Sequence, residues 1–463
     1  MKSSFLIGGI MFGLSAMAQL KGPAPFKTGD RVVFAGNSIT EAGFYELYIW
    51  QYYQLHFPNE RITVLNGGIG GDVAGQILNR FDLDIVRLKP SVVVLTFGMN
   101  DSRYFEYFNT PQEKVRQEAV ETALKSYQQL EERLKALPGT RKILMTSSPF
   151  DETMAGSNNK FTGKYKTMLA IAAFQEQAAK RNNWGFVDLL KQMTALNQRG
   201  QQKDSTFTLT GPDRIHPGNA GHMVMAWLFL KAQGMADKVV ADVSVDAKTG
   251  KLKRSVNSTV TGIKTANGQI SFDYLAKSLP FPADSNARLW GNPQKQYEAL
   301  NVIPFTKEMN QELLTVAGLA KNKQYELCID GQSVGAWRGG EFSKGINLAV
   351  ISSTPQYRQA RQVAELNLEY RDLEQKLRAY YWLQFNYFKK HNMLYQDDQV
   401  AMDSASVSKE WAVGSKKDNY MEARKKEVRA RWEKTMQDII DRIYTINKPV
   451  VHHFVVSEKV NGL

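Results

Sequence analysis

Four short blocks of this sequence hold residue types capable of acyl transfer by an activated serine. The first is Phe34-Ala35-Gly36-Asn37-Ser38-Ile39-Thr40, where an apolar run ends at Gly36 and Ser38 follows. A serine at the carboxyl end of a strand, just before a helix, can act as a nucleophile supported by helix N-terminal amides. Alone, a glycine-flanked serine is more often a turn or capping residue. The second block is Asn66-Gly67-Gly68-Ile69-Gly70-Gly71-Asp72. Its glycines let the backbone turn tightly and approach a ligand closely; the plainer reading is a flexible turn with a helix N-cap at Asp72. No G-x-G-x-x-G sits on the first strand, so it is not a dinucleotide fingerprint.

The third block is Gly98-Met99-Asn100-Asp101. An asparagine amide can donate to a developing oxyanion without adding charge, although Asn-Asp after a strand is usually a turn. The fourth is Asp213-Arg214-Ile215-His216-Pro217. Histidine is the usual general base near neutral pH, and an aspartate three residues earlier can reach its second ring nitrogen and hold its tautomer. Of the six histidines, only His216 has such a partner just before the last helix of this region. His222, on that helix, reads as structural.

These residues need a framework. Apolar runs at 32–35, 62–65, 92–97, 143–146 and 186–187 suit strands buried on both faces. Between them, Val73, Ile77, Phe81, Ile85 and Leu88 mark one helix face, ended by Pro90. Further helical patterns run through Val115 to Leu134, Tyr165 to Ala179 and Ala220 to Lys231. This order predicts a parallel sheet with helices on both faces.

From residue 238 to about 350 the pattern turns to strands. Ile270, Phe272 and Tyr274 alternate after Asn267-Gly268, and Asp330-Gly331 marks a hairpin between 325–329 and 333–337. Cys328, the single cysteine, reads as a small buried hydrophobe. After Pro355, residues 356–392 and 419–446 suggest a helical hairpin joined by a polar connection over 396–417, with a last strand at 450–456. The aromatic residues Tyr380, Tyr381, Trp382, Phe385, Tyr387 and Phe388 suit a packing face. The division expected is 1–18 leader, 19–237 α/β domain, 238–350 β-rich region and 351–463 helical hairpin and tail.

In this order the four blocks resemble the SGNH (GDSL-like) hydrolase superfamily, whose signature residues are Ser, Gly, Asn and His. The match spans about residues 30–235. Asn37 and Ile39 depart from the name-giving Gly-Asp-Ser-Leu, and Asn37 is assigned no catalytic role. The resemblance implies a flavodoxin-like three-layer α/β/α domain. It implies Ser38 as nucleophile, His216 as base, Asp213 as its orienting carboxylate, and an oxyanion hole of the Ser38 and Gly71 amides with the Asn100 side chain. It implies no metal or organic cofactor.

The net charge of +13 is interleaved along the chain, and no zinc-finger or RNA-binding motif accompanies it, so nucleic-acid binding is not expected. Lys2, the apolar run Phe5 to Leu14 and Ala16-Met17-Ala18 read as an export leader. The run is short for a membrane span, so a soluble periplasmic or extracellular protein is expected. Export, the absence of a lipase-like apolar lid, and Tyr104, Phe105 and Tyr107 just after Asn100 favour removal of acetyl or other small acyl groups from carbohydrate. The alternatives are a lipid or short-chain ester hydrolase, or a glycan- or partner-binding C-terminal half.

Overall fold

The computed structural model describes residues 20–156, 160–266, 268–289 and 291–459. The leader-like segment 1–18 and Asn267 lie outside them. No helix of the described residues is long and apolar enough to cross a membrane.

Strands β1 (Arg31–Gly36), β2 (Thr63–Gly68), β3 (Val92–Phe97), β4 (Arg141–Thr146) and β5 (Gly185–Val187) form one parallel sheet in the order β2-β1-β3-β4-β5. The apolar β1 side chains, Val32 to Ala35, alternate between two cores, as strand alternation requires. Val32 and Phe34 pack with helices Tyr45–His56 and Asn219–Ala232, and Val33 and Ala35 with helices Ala74–Arg80 and Gln112–Lys135. The result is the expected three-layer, flavodoxin-like α/β fold. Strand order reverses between β1 and β3, which opens a crevice at their carboxyl ends. Ser38 follows β1 and Asn100 follows β3, so the two blocks flank that crevice.

The expected helix over 73–88 is broken. It is regular only over Ala74–Arg80, then loosens into a π turn and a 3₁₀ turn that ends at Lys89 with φ +52°. Helix Tyr45–His56 was not visible in the periodicity because every one of its residues is buried. It lies between the sheet and the C-terminal helices: Trp50 meets Tyr370 edge-on at 5.1 Å, and Asn367 donates to Gln54 at 2.6 Å. A helix covered all round has no polar stripe to reveal its period.

The β-rich region is a sandwich. One sheet has the order β13-β10-β6-β7, from Ile346–Asn347, Glu312–Ala317, Ala241–Asp246 and Lys251–Val256; the other has the order β12-β11-β14-β9-β8, from Gln332–Arg338, Gln324–Ile329, His452–Glu458, Gln269–Ala276 and Ser258–Ala266. Val243, Val316, Phe272, Leu327 and Phe454 share its core. The tail strand therefore sits inside this sheet instead of beside the helices. Cys328 is only half-buried, its sulfur 3.9 Å from the Glu326 carboxylate.

The C-terminal helices number more than a hairpin. The long helix Pro355–Asn386 is capped by Thr354, which accepts from the Tyr357 amide, with proline in the first turn. The expected polar connection contains two helices, Gln399–Val407 and Trp411–Ala423, ahead of Lys426–Ile446. The aromatic run 380–388 is buried packing, as its composition suggested.

Candidate active site

Ser38 opens a one-turn helix, Ser38–Glu41. Asn37 caps it: its side-chain oxygen accepts from the Ile39 amide at 3.0 Å. This capping fixes the Ser38 backbone, and the Ser38 N–H, being first in the helix, has no intrahelical acceptor. Asn37 thus has a structural role beside the serine.

His216 ends a turn in which buried Arg214 adopts φ +65° and donates to the Met154 carbonyl. The Asp213 Oδ1 accepts from the Ile215 and His216 amides, both at 2.9 Å, and Oδ2 lies 2.5 Å from His216 Nδ1. His216 Nε2 lies 2.9 Å from Ser38 Oγ. With the Nδ1 proton directed to the carboxylate, Nε2 is the acceptor facing the serine hydroxyl. Burial alone would raise the Asp213 carboxyl, but the bonds to the His216 ring and to the two amides outweigh it and hold the group below its ordinary value.

The glycine block lies across the crevice. Gly71 has φ +87°, and no atom stands within 4 Å of where a Cβ would be. Among the described residues no backbone carbonyl takes its N–H. The Asn100 Nδ2 donates to the Asp72 carbonyl at 2.9 Å, and its Oδ1 accepts from the Tyr104 hydroxyl at 2.7 Å. An amide nitrogen carries two protons, so one stays available as a donor. Asp101 ties the blocks together by accepting from the Ala74 and Gly98 amides, both at 2.8 Å. Burial, with the Asp213 and Asp101 charges, raises the Tyr104 hydroxyl above its ordinary range.

Gly71, Asn100, Tyr104 and Phe105 line a cleft of about 480 Å³ with Arg103 and Glu106. Phe105 is 72% exposed and Phe108 55%, both packed on Phe161. Tyr107, expected to contact substrate, does not line this cleft. It is buried, its hydroxyl donating to the Ser102 carbonyl at 2.9 Å and lying 2.7 Å from Thr167 Oγ1. Within a short helix, residue 107 points away from 105. Tyr104 borders the cleft but spends its hydroxyl on Asn100.

Two features escaped the sequence. Lys164, fully buried, donates to the Met99 carbonyl at 2.6 Å, to Ser102 Oγ at 2.7 Å and to the Arg103 carbonyl, and lies 3.7 Å from the Tyr104 ring centre. Burial drives its ammonium well below the usual lysine range, against the pull of Asp101. The second is a buried ion cluster. Arg80 joins Asp72 at 2.7 Å, Asp84 at 2.5 Å and the Gly36 carbonyl at 3.1 Å, and Arg378 of the long helix joins Asp84 at 2.7 Å. Asp72 therefore serves an ion pair and not a helix cap. The four-residue spacing of Arg80 and Asp84 was the available signal; nothing local pointed to Arg378, nearly three hundred residues away.

This framework, with a serine, histidine and aspartate in line at the carboxyl ends of a flavodoxin-like sheet, defines a serine hydrolase of the α/β class. Residues 34–224 match the GDSL-like lipase/acylhydrolase family, and 361–448 match the diltiazem deacetylase C-terminal helical domain. The chain is similar to a solved gut microbial diltiazem-metabolizing enzyme, with 44% identity over 95% of this chain and all of that one, at a TM-score of 0.92. An acetylxylan esterase of Geobacillus stearothermophilus is 26% identical over 223 residues, 45% of this chain and 95% of that protein. The chain belongs to the GDSL-like lipase/acylhydrolase family and is a hydrolase of ester bonds.

Proposed function

We propose that the protein is a serine deacetylase in which Ser38, His216 and Asp213 are the catalytic residues. The observation that carries this reading is the continuous chain from Asp213 Oδ2 through the His216 ring to Ser38 Oγ, at 2.5 and 2.9 Å. His216 Nε2 takes the Ser38 proton as Oγ bonds to the ester carbonyl carbon. The carbonyl oxygen becomes an oxyanion facing the amides of Ser38 and Gly71 and the free Asn100 proton. The C–O bond to the alcohol breaks, and that oxygen leaves with the proton held by His216. Water then attacks the acyl-serine with His216 again as base, releasing acetate and restoring Ser38.

For the alcohol, the proposal is a ring-bearing acetyl ester, with acetylated carbohydrate as the first class. Phe105 and Tyr104 beside Asn100 offer aromatic surface to a sugar face. A second reading, an acetylated aromatic compound, is favoured by the exposed Phe105 and Phe108, which pack on buried Phe161, and by the similarity to the diltiazem-metabolizing enzyme. Export, proposed from the leader-like residues 1–18, is tested by sequencing the N-terminus of secreted protein.

The test of the activity is hydrolysis of p-nitrophenyl acetate, butyrate and octanoate by wild type and Ser38→Ala. Acetate release from acetylated xylo-oligosaccharide and from diltiazem is measured in parallel. Activity greatest on acetate and abolished in Ser38→Ala supports the reading. Preference for octanoate, or an active Ser38→Ala enzyme, overturns it. The relative acetate release then chooses between the two alcohols.

A further inference from the structure

The long C-terminal helix reaches into the glycine block at one particular peptide. Trp382 Nε1 donates to the Gly70 carbonyl at 2.9 Å, and Asn386 Nδ2 reaches the same oxygen at 3.4 Å. That carbonyl belongs to the peptide whose nitrogen is the Gly71 N–H. The two ends of a trans peptide point in opposite directions. Holding the Gly70 oxygen on the helix side therefore turns the Gly71 N–H away from the helix. The orientation is not left to the chain: with φ +87°, Gly71 sits in a region that glycine enters and leaves freely.

The preceding peptide is fixed as well. The Gly70 N–H donates to Glu41, three residues after Ser38, and the other oxygen of Glu41 is paired with Lys416 of helix Trp411–Ala423. A Cβ at position 70 would stand 2.8 Å from Glu41 Oε2 and 3.5 Å from Trp382 Nε1, so a larger residue there would have to displace the Glu41 carboxylate. Nearby, Arg378 donates to the Gly68 carbonyl at 3.0 Å.

We propose that Trp382 and Asn386 are positioning residues for ester hydrolysis: they lock the Gly70–Gly71 peptide so that its N–H donates to the oxyanion. The C-terminal helical unit thereby completes the hydrolytic site instead of only adding surface. Two donors on the carbonyl also polarise the peptide, which makes its N–H a better donor. The inference rests on the Gly71 amide serving the oxyanion as proposed above. The oxyanion contact strengthens as charge develops, so losing it lowers kcat more than it changes substrate binding.

The experiment uses full-length Trp382→Phe, Asn386→Ala and the double variant, with Ser38→Ala and Asn100→Ala alongside. Steady-state hydrolysis of p-nitrophenyl acetate is measured with inhibition by phenylboronic acid, which forms a tetrahedral anion on a serine. Removing an oxyanion donor costs roughly a hundredfold or more, and loosening one costs less. The expected result is a fall in kcat of roughly tenfold for Trp382→Phe and more for the double variant. KM stays within about twofold, and boronate affinity falls in parallel with kcat. An unchanged kcat and boronate affinity in the double variant, while Asn100→Ala is slowed and Ser38→Ala is inactive, overturns this inference alone. A rise in KM with unchanged boronate affinity also overturns it. An active Ser38→Ala enzyme overturns the site reading and this inference with it.

Discussion

The Tyr104 hydroxyl donates to the oxygen of the Asn100 amide while the nitrogen of that amide donates to the Asp72 carbonyl. The Asp72 carbonyl, which can only accept, dictates the orientation, since a flipped amide would set its oxygen against that carbonyl; the Tyr104 hydroxyl then donates to the amide oxygen and holds the other end. Tyr104→Phe removes one of the two restraints. Steady-state kinetics on p-nitrophenyl acetate are expected to show kcat lowered by about three- to tenfold, with KM nearly unchanged. A variant with wild-type kcat would show that the Asp72 contact alone holds the amide.

Asp213→Asn tests the histidine side. An asparagine rotated to place its oxygen on the two backbone amides presents NH₂ to His216 Nδ1. That favours the tautomer with its proton on Nε2, and the base toward Ser38 is lost. Turnover is expected to fall on the order of a hundredfold or more while the protein melts near the wild-type temperature. Retention of most of the activity would assign the orientation of His216 to its backbone alone.

Arg378→Met tests the buried ions. The change leaves Asp84 with Arg80 as its remaining cluster partner and strips the Gly68 carbonyl of its donor. Breaking a buried ion pair by removing one partner typically costs about 3–5 kcal/mol. Urea denaturation is the measurement, and a change below about 1 kcal/mol would contradict the assignment.

Glu312 gives a pH-dependent prediction. It is buried, with Oε1 accepting from Tyr274 and Gln356 at 2.9 Å each, while Oε2 has no partner among the described residues. Burial, partly offset by those two bonds, pushes its carboxyl up to about 7. The folded state therefore holds this proton more tightly than the unfolded chain. Its favourable contribution is complete below the ordinary glutamate range and is lost as pH rises through about 7. Glu312→Gln keeps the Oε1 acceptor and removes the ionisation. Its melting temperature should exceed that of wild type at pH 8, by an amount reflecting roughly 1–3 kcal/mol, and the advantage should vanish near pH 4.5. Equal differences at both pH values would refute this.

The sequence shows the chemistry better than its supports. Ser38, His216 and Asp213 stood out because each sits in a short block at a strand end or before a helix; three-residue spacing pairs Asp213 with His216, whereas the approach of Ser38, 178 residues earlier, is set by the fold. The sheet was legible because runs such as Val92–Phe97 are apolar on both faces. What stayed hidden depends on distance along the chain or on complete burial. Trp382 looked like packing, and is packing; that its indole N–H meets the Gly70 carbonyl follows from tertiary contact alone. Helix Tyr45–His56 has no solvent face to betray it. Tyr107 misled because neighbouring aromatics in a helix face different ways.

The strand His452–Glu458 lies between the β11–β12 and β8–β9 hairpins, and the helical unit is spliced between it and the rest of the sandwich. During synthesis on the ribosome, both hairpins and all the helices emerge before the strand that joins them. A message broken off within the helices therefore yields two hairpins with unpaired edges, which invite aggregation. Evolution cannot shed the helical unit by a late stop codon; it must excise it internally and keep the final strand.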